Sequence, residues 1–272
     1  MPMPIITMLS DFGLRDPYVA EMKAVILSIC PGATIIDLSH EVRKFDVRMG
    51  AFILASAAPY FPPGTVHVAV VDPGVGTRRR PLIVETPHAL YVGPDNGILM
   101  LAAQKEGISH VREITSRRYM LPEISRTFHG RDIFSCAAAH LAMGVPSSEF
   151  GPEIHEYVVP TFARPSLEGD RLLGEIIYTD DFGNLITNIS AKDLKRLNLK
   201  EGDSFRIKLG DKALTLRLCS AYGEVPKQEP LAIIGGSGFL EVAVNQGNAS
   251  ETLQTKTGDP VSLSVKNSET QL

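Results

Sequence analysis

The run Val66-His67-Val68-Ala69-Val70-Val71 is the stretch that most narrows what this chain can become. Six nearly uninterrupted apolar and β-branched residues read as a strand buried on both faces, and a soluble chain achieves that in a parallel sheet covered by helices. The run stops at Asp72-Pro73-Gly74-Val75-Gly76-Thr77, with Arg78, Arg79 and Arg80 directly after. Pro73 removes a backbone donor, while Gly74 and Gly76 permit a tight loop and close approach to a ligand. An acid at the carboxyl end of a central strand, followed by a glycine loop and a guanidinium, marks the place where open α/β sheets hold ligands. The same spacing also fits a turn pinned by an Asp72–arginine salt bridge.

The preceding segments support a βαβ series. Ile5 to Leu9 is a short apolar strand that turns away at Ser10-Asp11-Phe12-Gly13, and Asp16 before Pro17 is the arrangement of a helix cap, for a helix through Ile29. Ala33 to Leu38 is a second strand, and Asp46 caps a second helix through Ala58 that ends at Pro59 and Pro62-Pro63-Gly64. Two such units in series predict parallel strands with right-handed crossovers. Two further strands, Leu82 to Glu85 and Ala89 to Val92, are joined by a brief turn at Pro87. The second runs into Gly93-Pro94-Asp95-Asn96-Gly97, where Asn96 offers a donor and an acceptor either to a ligand or to an ordinary turn before a helix over Ile98 to Lys105. Thr127-Phe128-His129-Gly130-Arg131-Asp132 opens an apolar helix, Ile133 to Met143. His129 thus stands at a helix entrance, which disfavours imidazolium and attracts anions; an ordinary hydrogen-bonded histidine fits there as well.

From Ser147 to Leu172 proline and polar residues predict a linker. Beyond it come seven short strands with glycine turns and one helix, Ala191 to Leu197, capped by Ser190 with Asp193 in a capping-box position. That pattern predicts a β-barrel or sandwich, and residues 266–272 read as a frayed tail. The expected organisation is therefore an N-terminal α/β domain with a mostly parallel sheet over residues 1–165, followed by a smaller all-β barrel domain over 166–272. In the second domain, Thr179-Asp180-Asp181-Phe182-Gly183-Asn184 combines acids, an aromatic and an asparagine suited to a nucleobase, or to a strand-connecting turn. Gly235-Gly236-Ser237-Gly238 would let backbone amides approach a carboxylate or phosphate, but no helix follows it as a dinucleotide fingerprint requires.

Composition removes other classes. A net charge of −4, with Arg78 to Arg80 a local cluster and not a basic face, argues against a nucleic-acid or anionic-membrane partner and for a small molecule. Three distant cysteines in apolar segments form neither a disulfide framework nor a zinc site. No signal-like start and no membrane-length apolar run are seen, so a cytoplasmic protein is expected.

Six motifs in order, Ser10-Asp11-Phe12-Gly13, Val71-Asp72-Pro73-Gly74-Val75-Gly76-Thr77, Pro94-Asp95-Asn96-Gly97, Phe128-His129-Gly130-Arg131-Asp132, Asp181-Phe182-Gly183-Asn184 and Gly238-Phe239-Leu240-Glu241, resemble those of the SAM hydroxide adenosyltransferases. These S-adenosylmethionine (SAM) hydrolases are related to fluorinase and chlorinase, and the resemblance covers nearly the whole chain. It implies hydrolysis of SAM to adenosine and L-methionine without a cofactor or metal. Asp72, Arg79 and His129 would position the attacking water, with Arg78 and Arg80 flanking the choice of arginine. Asp11 would hold the ribose hydroxyls with Asp16 nearby, Phe182 and Asn184 would address the adenine, and Ser237 would lie at the methionine end. Phe45, Asn96, Phe128, Asp180 and Glu241 complete the implied substrate-binding set. The resemblance further implies a homotrimer with active sites between one subunit's first domain and its neighbour's second.

Fluorinase carries a tyrosine where Asp72 stands, a serine where Gly130 stands and an extra loop near Pro87, and its Ser-Arg pair is missing an arginine here. The first three differences favour hydrolysis. A halogenase, a SAM or adenosine-binding protein with little activity, and a metal-dependent hydrolase using Asp11, Asp72, Asp95 and His129 remain competing readings. The last lacks a closely spaced ligand pair such as His-x-x-x-His.

Overall fold

A computed structural model describes residues 3–265, so the tail expected over 266–272 lies outside the described residues. The chain divides into two compact units, Met1–Pro160 and Thr161–Leu272.

The first unit is built on a six-stranded sheet in the order β2-β1-β3-β5-β4-β6. Its strands are β1 (Ile5–Ser10), β2 (Thr34–Ser39), β3 (Val66–Val70), β4 (Pro81–Glu85), β5 (Leu90–Pro94) and β6 (His110–Glu113). β3 is buried along its whole length and pairs in parallel with β1 on one side and β5 on the other, as its apolar run predicts. Burying each valine of this strand contributes roughly 1.5–3 kcal/mol relative to exposure. The sheet as a whole is mixed and not mostly parallel, because β4 runs antiparallel to both β5 and β6. The reason lies in the loop between β4 and β5: so short a connection can close only a hairpin, whereas a parallel return needs a crossover of a dozen residues.

Helix α1 (Tyr18–Ile29) contributes Met22 and Ile26, and α4 (Cys136–Ala142) contributes Ala137 to Ala139 and Leu141, to a core with Ile6, Met8, Val66, Val68 and Val92. Side chains of alternate parity, Thr7, His67 and Tyr91, form a cross-strand row that faces the other way. Two more helices, α2 (Val47–Ala57) and α3 (Met100–Glu106), complete the unit. Asp46 caps α2 by accepting the Met49 amide at 2.9 Å. The expected Asp16 cap on α1 is absent. Pro17 itself takes the cap position in a helical conformation, its carbonyl accepts the first helical bond from Glu21, and no side chain caps the helix.

In the second unit, β8 (Arg171–Thr179), β9 (Leu185–Ser190), β10 (Ser204–Leu209), β11 (Lys212–Cys219), β12 (Pro230–Ile234), β13 (Phe239–Val244) and β14 (Pro260–Val265) close into a seven-stranded barrel through the β14–β8 pairing. β10 shows the governing alternation, with Phe205, Ile207 and Leu209 inside and Arg206 and Lys208 outside. The linker reading of 147–172 fails at its end: β7 (Ser166–Glu168) and the first residues of β8 pair there. The unit is not purely β, since it carries α5 (Ala191–Arg196), with the expected Ser190–Asp193 capping box, and α6 (Ala249–Leu253), which the sequence pattern did not reveal. No helix among the described residues is long and apolar enough to cross a membrane.

Candidate active site

Just beyond β3 the chain folds back on itself. The Val75 amide bonds the Asp72 carbonyl at 3.2 Å, and the Thr77 hydroxyl bonds the Gly74 carbonyl at 2.7 Å. Gly76 has φ +74°, and a Cβ there would run into the Arg126 carbonyl, so only glycine fits. This turn brings Arg79 back over Asp72. The Arg79 Nε lies 3.0 and 2.9 Å from the two carboxylate oxygens, and its Nη2 also donates to Oδ2. The two side chains are 9% and 5% exposed, and the guanidinium carbon sits 5.2 Å over the Phe134 ring. Arg79 Nη1 is buried and finds no hydrogen-bond partner among the described residues.

The three consecutive arginines have different fates. Arg78 is exposed, and Arg80 is drawn off by Asp95, whose Oδ2 accepts from Nε at 3.0 Å and Nη2 at 2.6 Å. Asp95 Oδ1 accepts the Val158 amide at 2.8 Å. Its neighbour Asn96 is occupied internally, donating from Nδ2 to the Val71 carbonyl at 2.7 Å and accepting the Ile98 amide at 3.2 Å. Consecutive residues after β5 thus clamp both ends of the Asp72–Arg79 loop.

Arg79 Nη2 also reaches His129 Nδ1 at 2.9 Å, so the expected trio of Asp72, Arg79 and His129 meets at one point. A guanidinium has only donors, so Nδ1 must accept and a neutral His129 carries its proton on Nε2. Burial first, and then the Arg79 charge, hold the imidazole below its usual pKa against the opposing pull of Asp72 and Asp132. The disfavoured imidazolium expected here is therefore found, but its cause is enclosure and a guanidinium neighbour.

The helix entered at His129 begins earlier than expected, with a π turn over Gly130–Ser135 across which the Ser135 hydroxyl donates to the Gly130 carbonyl at 2.9 Å. Asp132 within it is fully buried, accepting Arg131 Nε at 2.7 Å and the Ser125 amide at 2.7 Å, while Arg131 also reaches Glu21 at 2.8 Å. These bonds anchor the segment that presents His129. From the sequence Asp132 is a member of the motif with no role of its own; its burial is set by contacts from Ser125 and Arg131.

Asp11 follows β1 as Asp72 follows β3, so both acids lie at the carboxyl ends of neighbouring parallel strands. Its Oδ2 accepts the Phe45 amide at 2.9 Å, and its carbonyl accepts from Lys44 Nζ. Phe45 adopts φ +66°, unusual for a bulky residue, and leaves its ring 69% exposed. Phe128, adjacent to His129, packs edge-on against Phe12 at 5.8 Å and Tyr18 at 5.2 Å. Asp16 is exposed and joins none of these contacts.

In the barrel unit, Asp180 organises the β8–β9 turn. Its Oδ1 accepts the amides of Phe182 at 3.0 Å and Asn184 at 2.8 Å, and its Oδ2 accepts Asn184 Nδ2 at 2.9 Å. Phe182 is left 78% exposed at the tip. Glu241 on β13 folds over Gly235, where any Cβ would collide with it, and accepts from the Tyr222 hydroxyl at 3.2 Å. Burial, with Asp180 nearby, pushes the Glu241 carboxyl up despite that bond. The Tyr222 phenol is pushed up to about 12 by burial and by Glu241. Tyr222 was missed because it lies far along the sequence from the glycine turn it serves. Ser237 sits in that turn, with Gly238 at φ +78°. Among the described residues no group of three or more His, Cys, Asp and Glu side chains is arranged to hold a metal ion.

An α/β unit with an acid, a guanidinium and an imidazole gathered beyond a buried parallel strand, followed by a closed β-barrel unit, defines a two-domain class with a strand-end polar site. The chain belongs to the SAM hydroxide adenosyltransferase family: residues 6–151 match its N-terminal domain and residues 174–262 its C-terminal domain. It is 41% identical over 273 residues to an (R)-S-adenosyl-L-methionine hydrolase from Thermus thermophilus, covering 94% of this chain and 97% of the relative. A fluorinase from an Actinoplanes species is 30% identical over 290 residues, covering 96% and 97%. A crystal structure of a conserved protein from Thermotoga maritima superposes with a TM-score of 0.83 at 40% identity, covering 95% of this chain and 99% of that one.

Proposed function

We infer that this chain hydrolyses S-adenosyl-L-methionine to adenosine and L-methionine, by attack of water on the ribose C5′. The observation that carries the reading is the meeting of Asp72 and Arg79, from one loop, with His129, fifty residues beyond Arg79, in a chain of this family. In the reaction the water oxygen forms a bond to C5′ as the C5′–S bond breaks and its electron pair stays on sulfur. The sulfonium becomes a neutral thioether, which needs no general acid. One proton of the water leaves to Asp72 and then to solvent. His129 donates from Nε2 to a lone pair of the water, which aims the other lone pair at carbon, and the Arg79 Nη1–H stabilises developing hydroxide. Bulk water is far too weak an acid to ionise at neutral pH, so without a metal the lowering must come from Arg79 and the sulfonium; turnover is expected to be slow.

Asp11 takes the ribose hydroxyls with Asp16 and Phe45 beside it, Phe128 lines the nucleoside side, and Phe182, Asp180 and Asn184 address the adenine. Ser237 and Glu241 take the methionine end, and Asn96 acts through the Val71 carbonyl. The working form is a cytoplasmic homotrimer with each site shared between neighbouring copies, acting without cofactor, nucleic acid or membrane. Asp72 supports hydrolysis over halogenation. So does Gly130, where a Cβ would stand 3.2 Å from Met22 Sδ and 3.4 Å from two aromatic rings, which leaves a serine cramped.

The test is chromatographic: SAM incubated with the protein should yield adenosine and methionine in equal amounts, unchanged by a chelator. Asp72→Ala should stop release while adenosine still binds. Because Arg79 engages both oxygens of Asp72, a SAM or adenosine sensor is the second reading. Binding of SAM with no adenosine released by the wild-type protein would establish that reading instead. A 5′-halogenated adenosine formed on adding chloride would point to a halogenase.

A further inference from the structure

We propose that Ser10 and His40, backed by Asp37, form a buried brace whose purpose is to position Asp11 for the two ribose hydroxyls; the inference rests on the assignment of Asp11 above. Ser10 ends β1 and is wholly buried, and its Oγ lies 2.7 Å from His40 Nδ1. On the far side of the ring, His40 Nε2 is 3.1 Å from Asp37 Oδ1, an electrostatic contact off the line of a hydrogen bond. Asp37 Oδ2 takes Lys23 Nζ of α1 at 2.6 Å. Burial raises the Asp37 carboxyl, but Lys23 and His40 together outweigh it and hold it below the usual range.

Serine, histidine and aspartate in this order are the parts of a nucleophilic triad. Here the serine cannot act as one, because no surface of it is exposed and its Oγ already accepts the Phe12 amide at 3.3 Å. What the chain of contacts does reach is the backbone on both sides of Asp11. Ser10 precedes it, the Phe12 amide is held by Ser10, and the Gly13 amide is held by the His40 carbonyl at 2.7 Å. The loop after β2 thus grips the loop after β1 at successive points, and the same loop runs on to Phe45, whose amide takes Asp11 Oδ2. Oδ1 and the second lone pair of Oδ2 are left to address the two hydroxyls. A diol needs both carboxylate oxygens in one plane at fixed spacing, so small rotations of Asp11 weaken its grip on that diol and on nothing else.

That selectivity makes the brace testable apart from stability. Affinities for adenosine and for 2′,3′-dideoxyadenosine are measured by calorimetry on the wild-type protein, Asp11→Ala, Ser10→Ala and Asp37→Asn. Asp37 is partly exposed, so its variant keeps the question open if Ser10→Ala does not fold. Ser10→Ala is expected to weaken adenosine binding about five- to tenfold, in keeping with one lost hydrogen bond, and Asp37→Asn about two- to threefold, in keeping with a weakened electrostatic contact to His40. Neither should alter dideoxyadenosine binding. Equal weakening of both nucleosides, or of neither, overturns the brace while leaving Asp11 in place. A wild-type protein that does not prefer adenosine, or an Asp11→Ala variant that keeps the preference, overturns the Asp11 assignment and the brace with it.

Discussion

Acid should weaken this fold through one residue remote from the candidate site. His67 stands in the middle of β3 with no exposed surface. Its Nδ1 is 2.7 Å from the Thr7 hydroxyl, Tyr91 stacks on its ring at 5.0 Å, and Phe61 meets it edge-on at 5.6 Å. Burial, helped by the charge of His88, lowers its pKa from 6.5 to about 4. The unfolded chain therefore takes up a proton near pH 6.5 that the folded chain refuses until about pH 4, and stability falls as pH drops through that window. At about 1.36 kcal/mol per pH unit, roughly 2–3 kcal/mol is lost between neutrality and pH 4.5 through this group alone. Carboxylates titrate over the same range, so the measurement is a comparison. Urea unfolding of wild type and of Thr7→Val/His67→Phe, each at pH 7.5 and 4.5, should show the pH-dependent loss smaller in the variant by roughly that amount. The paired substitution keeps the ring stack and leaves no orphaned hydroxyl. An identical pH dependence in the two proteins, or a wild-type His67 resonance that titrates above pH 6, would refute the reasoning.

Three further outcomes follow from the site. Arg79→Gln removes the donor and the charge facing His129 Nδ1 while leaving Asp72 beside it, so the imidazole pKa should rise, read from its NMR titration; an unchanged value would mean burial alone sets it. Gly76→Ala forces a Cβ onto the Arg126 carbonyl at φ +74° and should lower unfolding free energy by about 1–3 kcal/mol in urea, with loss of adenosine release. Asp95→Asn gives up the charge that holds Arg80 while keeping the amide acceptor for Val158, and should cost about 1–2 kcal/mol by the same measure. It should also lower kcat more than it raises KM, since the loop carrying Arg79 is what it holds.

What could be read from residues alone was whatever a short window determines. The β3 run, the Asp46 cap and the Ser190–Asp193 box each follow from neighbours within a few positions, and each is found. β6 escaped because His110-Val-Arg-Glu has a single buried apolar residue, and α6 because five residues hold no helical period. The π turn is invisible in the pattern: Gly130 to Ala142 satisfies a helical period, and the extra residue shows only in which carbonyl each amide meets. Asp16 was misread since proline after aspartate fits both a cap and a residue outside the helix. The meeting of Asp72 with Arg79 was open to two readings at a separation of seven, and contact with His129 was expected only by likeness to a family. Which of three adjacent arginines turns inward depends on Asp95, supplied by a strand that pairs from elsewhere in the chain.

The close approach at Gly76 has a bearing on how two separate stretches of chain keep their distance. With the backbone of one segment pressed against the Arg126 carbonyl, the piece bearing the guanidinium and the piece leading to the imidazole lie backbone to backbone. A side chain at that point would wedge the two pieces apart, so the spacing between guanidinium and imidazole is set in part by a residue that has no side chain at all.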